Sequence, residues 1–145
     1  MKIKTKYFGE IEINEDGIIT FEDGIPGFGY VKKYVMLKNP NPELPFNWLQ
    51  GVDEPSLAFV IVNPFLFKED YEFDIPQSTI EELCIENIQD VLICSIVTIP
   101  QEMINTTMNL KAPIIINTKT KKGKQLVLDT DKYEIKYKIF KKTAL

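Results

Sequence analysis

Three acids on alternate positions, Asp70, Glu72 and Asp74, are the residues whose type and spacing could do chemistry. In extended backbone, side chains two apart share a face, so the row could hold a divalent cation or supply paired carboxylates for acid–base work. The same spacing is what a half-buried strand needs on its wet side, and a solvated strand face is the simpler reading. Asp129-Thr130-Asp131 resembles a metal- or nucleotide-binding tripeptide, yet Asp and Thr are also ordinary turn residues. Cys84 and Cys94 form no Cys-x-x-Cys pair and sit among apolar residues. They read as buried free thiols rather than as a nucleophile, a disulfide or a metal clamp.

Absences narrow the chemistry further. The chain has no His, and all 17 of its basic residues are Lys. It therefore has no imidazole base, no His-containing triad and no common zinc set, and it lacks the forked guanidinium that grips phosphate in two places. No phosphate-cradling Gly loop is present, because the glycines near residue 27 alternate with Pro and Phe. No catalytic residue, metal or cofactor is expected. Charge is unevenly divided: residues 1–118 carry 18 acids against 8 Lys, and residues 119–145 carry 9 Lys against 3 acids. Eight of the acids fall between Glu69 and Asp90, with no Lys after Lys68, which suits a recognition surface for a basic protein. The Lys-rich end, with Tyr133 and Tyr137 interleaved, offers an alternative role as an RNA-binding surface that stacks and attracts. Lys facing water opposite Tyr and Ile is also the ordinary pattern of a half-buried strand.

The elements that position these residues are short. A length of 145 residues fits one domain, 1–145, with residues 141–145 expected to fray. Neither a signal-peptide pattern nor an apolar run of membrane-spanning length occurs, so a cytoplasmic protein with no membrane partner is expected. Alternation and turn signals give strands near residues 3–13, 18–21, 34–37, 46–52 and 57–62. Lys68 to Ile75 alternates cleanly and reads as a strand with an acidic outer face. Ser78-Thr79-Ile80-Glu81 fits a capping box, which predicts one short helix near residues 79–86. Val91 to Ile99 is too apolar to have one face in water and reads as the central strand. Residues 113–117 and 125–128 are predicted to form a hairpin about the turn at 121–124, and residues 133–139 a last alternating strand. The sum is an all-β, mostly antiparallel, small barrel or sandwich.

Four segments carry a resemblance. They are Gly24-Ile25-Pro26-Gly27-Phe28; Pro45-Phe46 with Leu49-Gln50, Pro55 and Leu57-Ala58-Phe59; Asn63-Pro64-Phe65 leading into Asp70 to Pro76; and Thr107 to Asn117 with Gly123 and Gln125 beyond. In this order and spacing the chain resembles the FliW family of bacterial flagellar assembly factors from about Ile3 to Phe140. The resemblance implies a small β-barrel-like fold without enzymatic activity. It also implies two protein partners, flagellin and the RNA-binding translational repressor CsrA, whose block on flagellin messenger RNA the family lifts by partner switching. No direct contact with nucleic acid is implied, and the free chain is expected to be monomeric. The acidic edge Glu69, Asp70, Glu72 and Asp74 is the candidate CsrA contact. The apolar residues Ile25, Phe28, Phe46, Leu49, Phe65, Leu110 and Ile115 are the candidates for flagellin, with Ile25 and Phe28 taken as exposed in their Gly- and Pro-rich loop.

Overall fold

The computed structural model describes residues 1–140. Among them run, in chain order, β1 (Lys2–Lys4), β2 (Glu10–Glu12), β3 (Ile18–Thr20), β4 (Lys33–Leu37), β5 (Asn47–Gly51) and β6 (Ala58–Val62). They are followed by α1 (Gln77–Glu82), β7 (Val91–Thr98), β8 (Thr107–Met108), β9 (Ile114–Asn117), β10 (Lys122–Gln125) and β11 (Tyr137–Lys138). Strands β3 to β7 pair antiparallel with their sequence neighbours, and β7 then takes β9 on its other edge. β9 pairs with β10, and β10 returns to β3, which closes a barrel of seven strands. An odd ring cannot alternate direction all the way round, so one pair has to be parallel. That pair is β3–β10, joined at Thr20 and Lys122. The expected all-β, mostly antiparallel barrel with one short helix is therefore the fold.

Strand alternation explains why the central segments are so apolar. Leu92, Cys94 and Ile96 of β7 and Ile114 and Ile116 of β9 pack with Phe21, Tyr34, Leu49 and Ile61 in one cluster inside the barrel. Their sequence neighbours Val91, Ile93, Val97 and Ile115 point outward into a second cluster with Tyr71, Leu110 and Tyr133. β9 is buried on both faces and β7 has apolar residues on both, half-buried at its start, as the β-branched run at 91–99 requires. A third, smaller cluster lies under the β1–β2 hairpin, around Ile3, Val35 and Val52. Gly123 in β10 has no side chain because the fully buried ring of Phe21 fills its space: a Cβ there would sit 2.6 Å from the ring.

Several local expectations are corrected. The hairpin of β9 and β10 exists, but its lysines 122 and 124 lie in the second strand, and the turn comes earlier, with Lys121 at φ 59°. The last strand shrinks to Tyr137–Lys138, paired with β8, because Tyr133 leaves the ladder to pack against Tyr71. Cys94 is buried and its thiol is pushed up to about 12 by loss of solvent, whereas Cys84 is exposed rather than buried. The expected fraying of 141–145 lies outside the described residues.

Candidate partner-binding site

Residues 71–76 are not a strand: they belong to no ladder among the described residues, although their in–out alternation is as expected. Tyr71 is buried, Glu72 and Asp74 are exposed, and Phe73 and Ile75 are half-buried. Two tyrosines do the work of a neighbouring strand. The Tyr71 hydroxyl donates to the Leu110 carbonyl at 2.6 Å, and burial raises its pKa far above the ordinary tyrosine range. The Tyr133 hydroxyl accepts from the Glu72 N–H and donates to the Glu72 carbonyl, each at 3.0 Å. The two rings meet edge to face with centroids 4.7 Å apart, a favourable aromatic geometry.

α1 follows directly. The capping box does not form: the N-cap is Pro76, with no side-chain cap, and its carbonyl takes the Thr79 and Ile80 N–H groups. Proline fixes φ at a value suited to helix entry, so the helix begins at Gln77 and Ser78 falls inside it. It ends in a Schellman motif. Cys84 adopts φ 55°, the Cys84 N–H bonds to the Glu81 carbonyl, and the Ile85 N–H reaches back to the Ile80 carbonyl. Buried Asn117 of β9 donates to the last carbonyls, Leu83 at 2.9 Å and Cys84 at 3.1 Å. Lys124 of β10 adds an ion pair to Glu82 at 2.7 Å, which fastens the helix to the barrel.

Between this strap, α1 and the start of β7 lies an open groove of 620 Å³. It is lined by the half-buried Val91, Ile93, Phe73, Ile75, Ile80 and Ile85 and by the exposed Phe65 and Ile88. Glu72, Asp74 and Glu86 stand at the rim. Ile88, at 72% exposure, and Phe65, at 40%, are apolar surface held out in water. An apolar trough with a negative rim suits an amphipathic segment that carries basic flanks.

The model of the FliW protein family matches residues 2–139. The flagellar assembly factor FliW of Alkaliphilus metalliredigens is 52% identical over 139 residues, covering 96% of this chain and 86% of that one. Its counterpart in Bacillus velezensis is 48% identical, with 96% of each chain covered. The chain belongs to the FliW family. A solved structure, the crystal structure of the flagellar assembly factor FliW, superposes with a TM-score of 0.92 at 42% identity and covers 99% of this chain and 100% of that one.

Within this FliW fold the sequence-predicted site residues separate. Glu72 and Asp74 reach the groove rim, while Glu69 and Asp70 sit on the exposed turn before it. Asp70 is also paired with Lys68 at 2.8 Å, and that hydrogen bond holds its carboxyl below the usual carboxylate range. Of the apolar candidates only Phe65 lines the groove. Ile25, expected to be exposed, is 1% exposed, because the Ile25–Phe28 bridge folds the glycine-rich loop over the barrel end. Leu49, Leu110 and Ile115 are core side chains with no exposed surface. Phe28 is half-buried, edge-on to Phe59, and Phe46 is half-buried against the outer cluster. Glu86, Ile80, Ile85 and Ile88 were not among the predicted site residues. The signal for them was the acid count from 69 to 90 taken together with the isoleucine spacing of the helix and its exit. In the Lys-rich segment, Lys124 is paired with Glu82 and Lys122 lies 4.0 Å from Glu22.

Proposed function

We propose that this chain is a cytoplasmic flagellar assembly factor that works without catalysis, holding flagellin and the repressor CsrA in turn. The observation that carries the reading is the coincidence of apolar trough and acidic rim in one groove. Flagellin chain ends are amphipathic and need shielding before export, and the trough offers an apolar cover for such a segment. CsrA must carry a positive surface to hold RNA, and the rim acids Glu72, Asp74 and Glu86 give it a negative counterpart. Docking beside the RNA site adds negative potential near the phosphates, so RNA binding weakens without overlap of the two sites. A coupling of about 1–3 kcal/mol lowers RNA affinity roughly 5- to 150-fold. Because rim and trough adjoin, flagellin in the groove obstructs CsrA, which makes the exchange a competition. The test is a titration of the chain with purified CsrA, alone and after saturation with flagellin. Preloading should lower CsrA affinity by at least about tenfold, equivalent to about 1.4 kcal/mol. A stable ternary complex, or no binding of either protein at micromolar concentration, would overturn the reading.

A further inference from the structure

We infer that the partner docks on this groove as an extended strand, adding itself to the backbone of residues 73–75, and that the incoming segment alternates apolar and Lys or Arg residues. The inference rests on the reading of the groove as a partner site and specifies how it is filled. A single hydroxyl, that of Tyr133, reaches both the N–H and the carbonyl of Glu72. The two groups therefore point to the same side, as they do in extended chain. In such backbone the peptide groups of successive residues alternate sides, so those of Phe73 and Ile75 point away from Tyr133. Among the described residues, no backbone or side-chain group is hydrogen-bonded to the N–H or carbonyl of Phe73, Asp74 or Ile75. An unpaired extended edge of this kind is a template for another strand. Pro76, lacking an N–H, and the helix that follows limit the template to these few residues.

Side-chain pairing then fixes the sequence that fits. Residues directly opposite one another on paired strands share a face. Positions opposite Phe73 and Ile75 thus point into the trough and favour apolar side chains. Positions opposite Glu72 and Asp74 lie on the acidic face and favour Lys or Arg, in a region where no Lys follows Lys68 up to Asp90. Among the described residues the chain's own alternating Lys-containing segments are engaged: Ile3 pairs in the β1–β2 hairpin and is buried beneath it, and Tyr133 and Ile139 are buried in the outer cluster. The strand is therefore assigned to a partner protein.

The test uses the full chain, isotopically labelled, with amide hydrogen exchange read residue by residue. Two probes are compared: a synthetic peptide alternating Val and Lys, and a Leu/Lys peptide patterned as an amphipathic helix. The alternating peptide should slow exchange at Phe73 and Ile75 by at least about tenfold and leave Asp74, on the other side of the strap, little changed. Asp74→Lys should weaken that binding while leaving the protection pattern of the residual complex intact. Failure of the alternating peptide to bind, binding without protection of those two amides, or equal protection by the helical peptide would each overturn the inference. Purified CsrA and flagellin form separate arms. Protection by the peptide with no binding of either protein would leave the strand edge standing and remove the partner assignment.

Discussion

The barrel and the strap outside it solve the same problem in opposite ways. In the barrel, each strand finds its hydrogen-bonding partners in its neighbours, the ring has no open edge, and Phe21, Tyr34, Leu49 and Ile114 are sealed from water. The strap at 71–76 has the same in–out alternation but no ladder, and it hangs from two tyrosine hydroxyls. Closing a sheet removes the surface on which another chain could pair. Leaving one extended segment outside the closed ring, over an apolar trough, restores such a surface without opening the core. Stability is thus concentrated in the ring, and recognition in the piece that the ring does not absorb.

Alkaline titration has the largest expected effect and reaches both regions, because burial raises Cys94 and Tyr34 in the barrel and Tyr71 on the strap. Burial inside the barrel raises Cys94 from its ordinary 9.0 to about 12, and burial raises Tyr34 from 10.0 to about 12, with Tyr30 adding to the effect. Above those ordinary values the unfolded chain has released protons that the folded chain still holds. The stabilisation is therefore complete below about 9 and is lost as pH rises toward about 12, by about 1.4 kcal/mol per pH unit for each group. Denaturant midpoints measured from pH 8 upward should begin to fall first through Cys94 in the barrel, and in Cys94→Ala the onset should move up to the range where Tyr34 and the strap's Tyr71 ionise in the unfolded chain. Gly123→Ala comes next. It pushes a methyl group against the Phe21 ring and should cost about 1–3 kcal/mol, a Tm lower by about 3–10 °C in calorimetry. Tyr133→Phe strikes the strap instead. Losing both bonds to Glu72 should cost about 1–2 kcal/mol, and the Glu72 amide should exchange faster while the β7 and β9 amides keep their protection. If β9 amides loosened equally, the strap and the barrel would be a single cooperative unit and the contrast would fail.

Much of the barrel could be read from the sequence because its strands obey local rules. The run from Val91 and the triplet Ile114-Ile115-Ile116 announce apolar strands, and the turn at 53–56 marks the hairpin of β5 and β6. Closure through a parallel β3–β10 pair could not be read, since it depends on a contact a hundred residues apart in sequence with no local signal. At the site, the alternation of 70–75 was legible but its ladder was not, because alternation records which side is wet and says nothing about what lies alongside. Ser78 and Glu81 offered a capping box, yet Pro76 already satisfied the helix entrance and displaced it. Ile25 and Leu110 shared the motif segments with Phe65. A motif carries both core and surface residues, and only the burial of the first two separates them from the third.

The substitution with the smallest expected effect on the fold is the one that tests recognition. Glu72 and Asp74 are exposed and make no side-chain bond among the described residues, so the double variant Glu72→Lys, Asp74→Lys should alter stability by no more than about 0.5 kcal/mol. Its affinity for purified CsrA, measured by calorimetric titration at low and at high salt, is the most direct measure of whether the acidic groove is the partner site. The natural chain should bind more weakly as salt rises. The variant should lose at least about tenfold at low salt and show little further change with added salt. Equal affinities of the two chains at low salt would contradict the assignment of the groove.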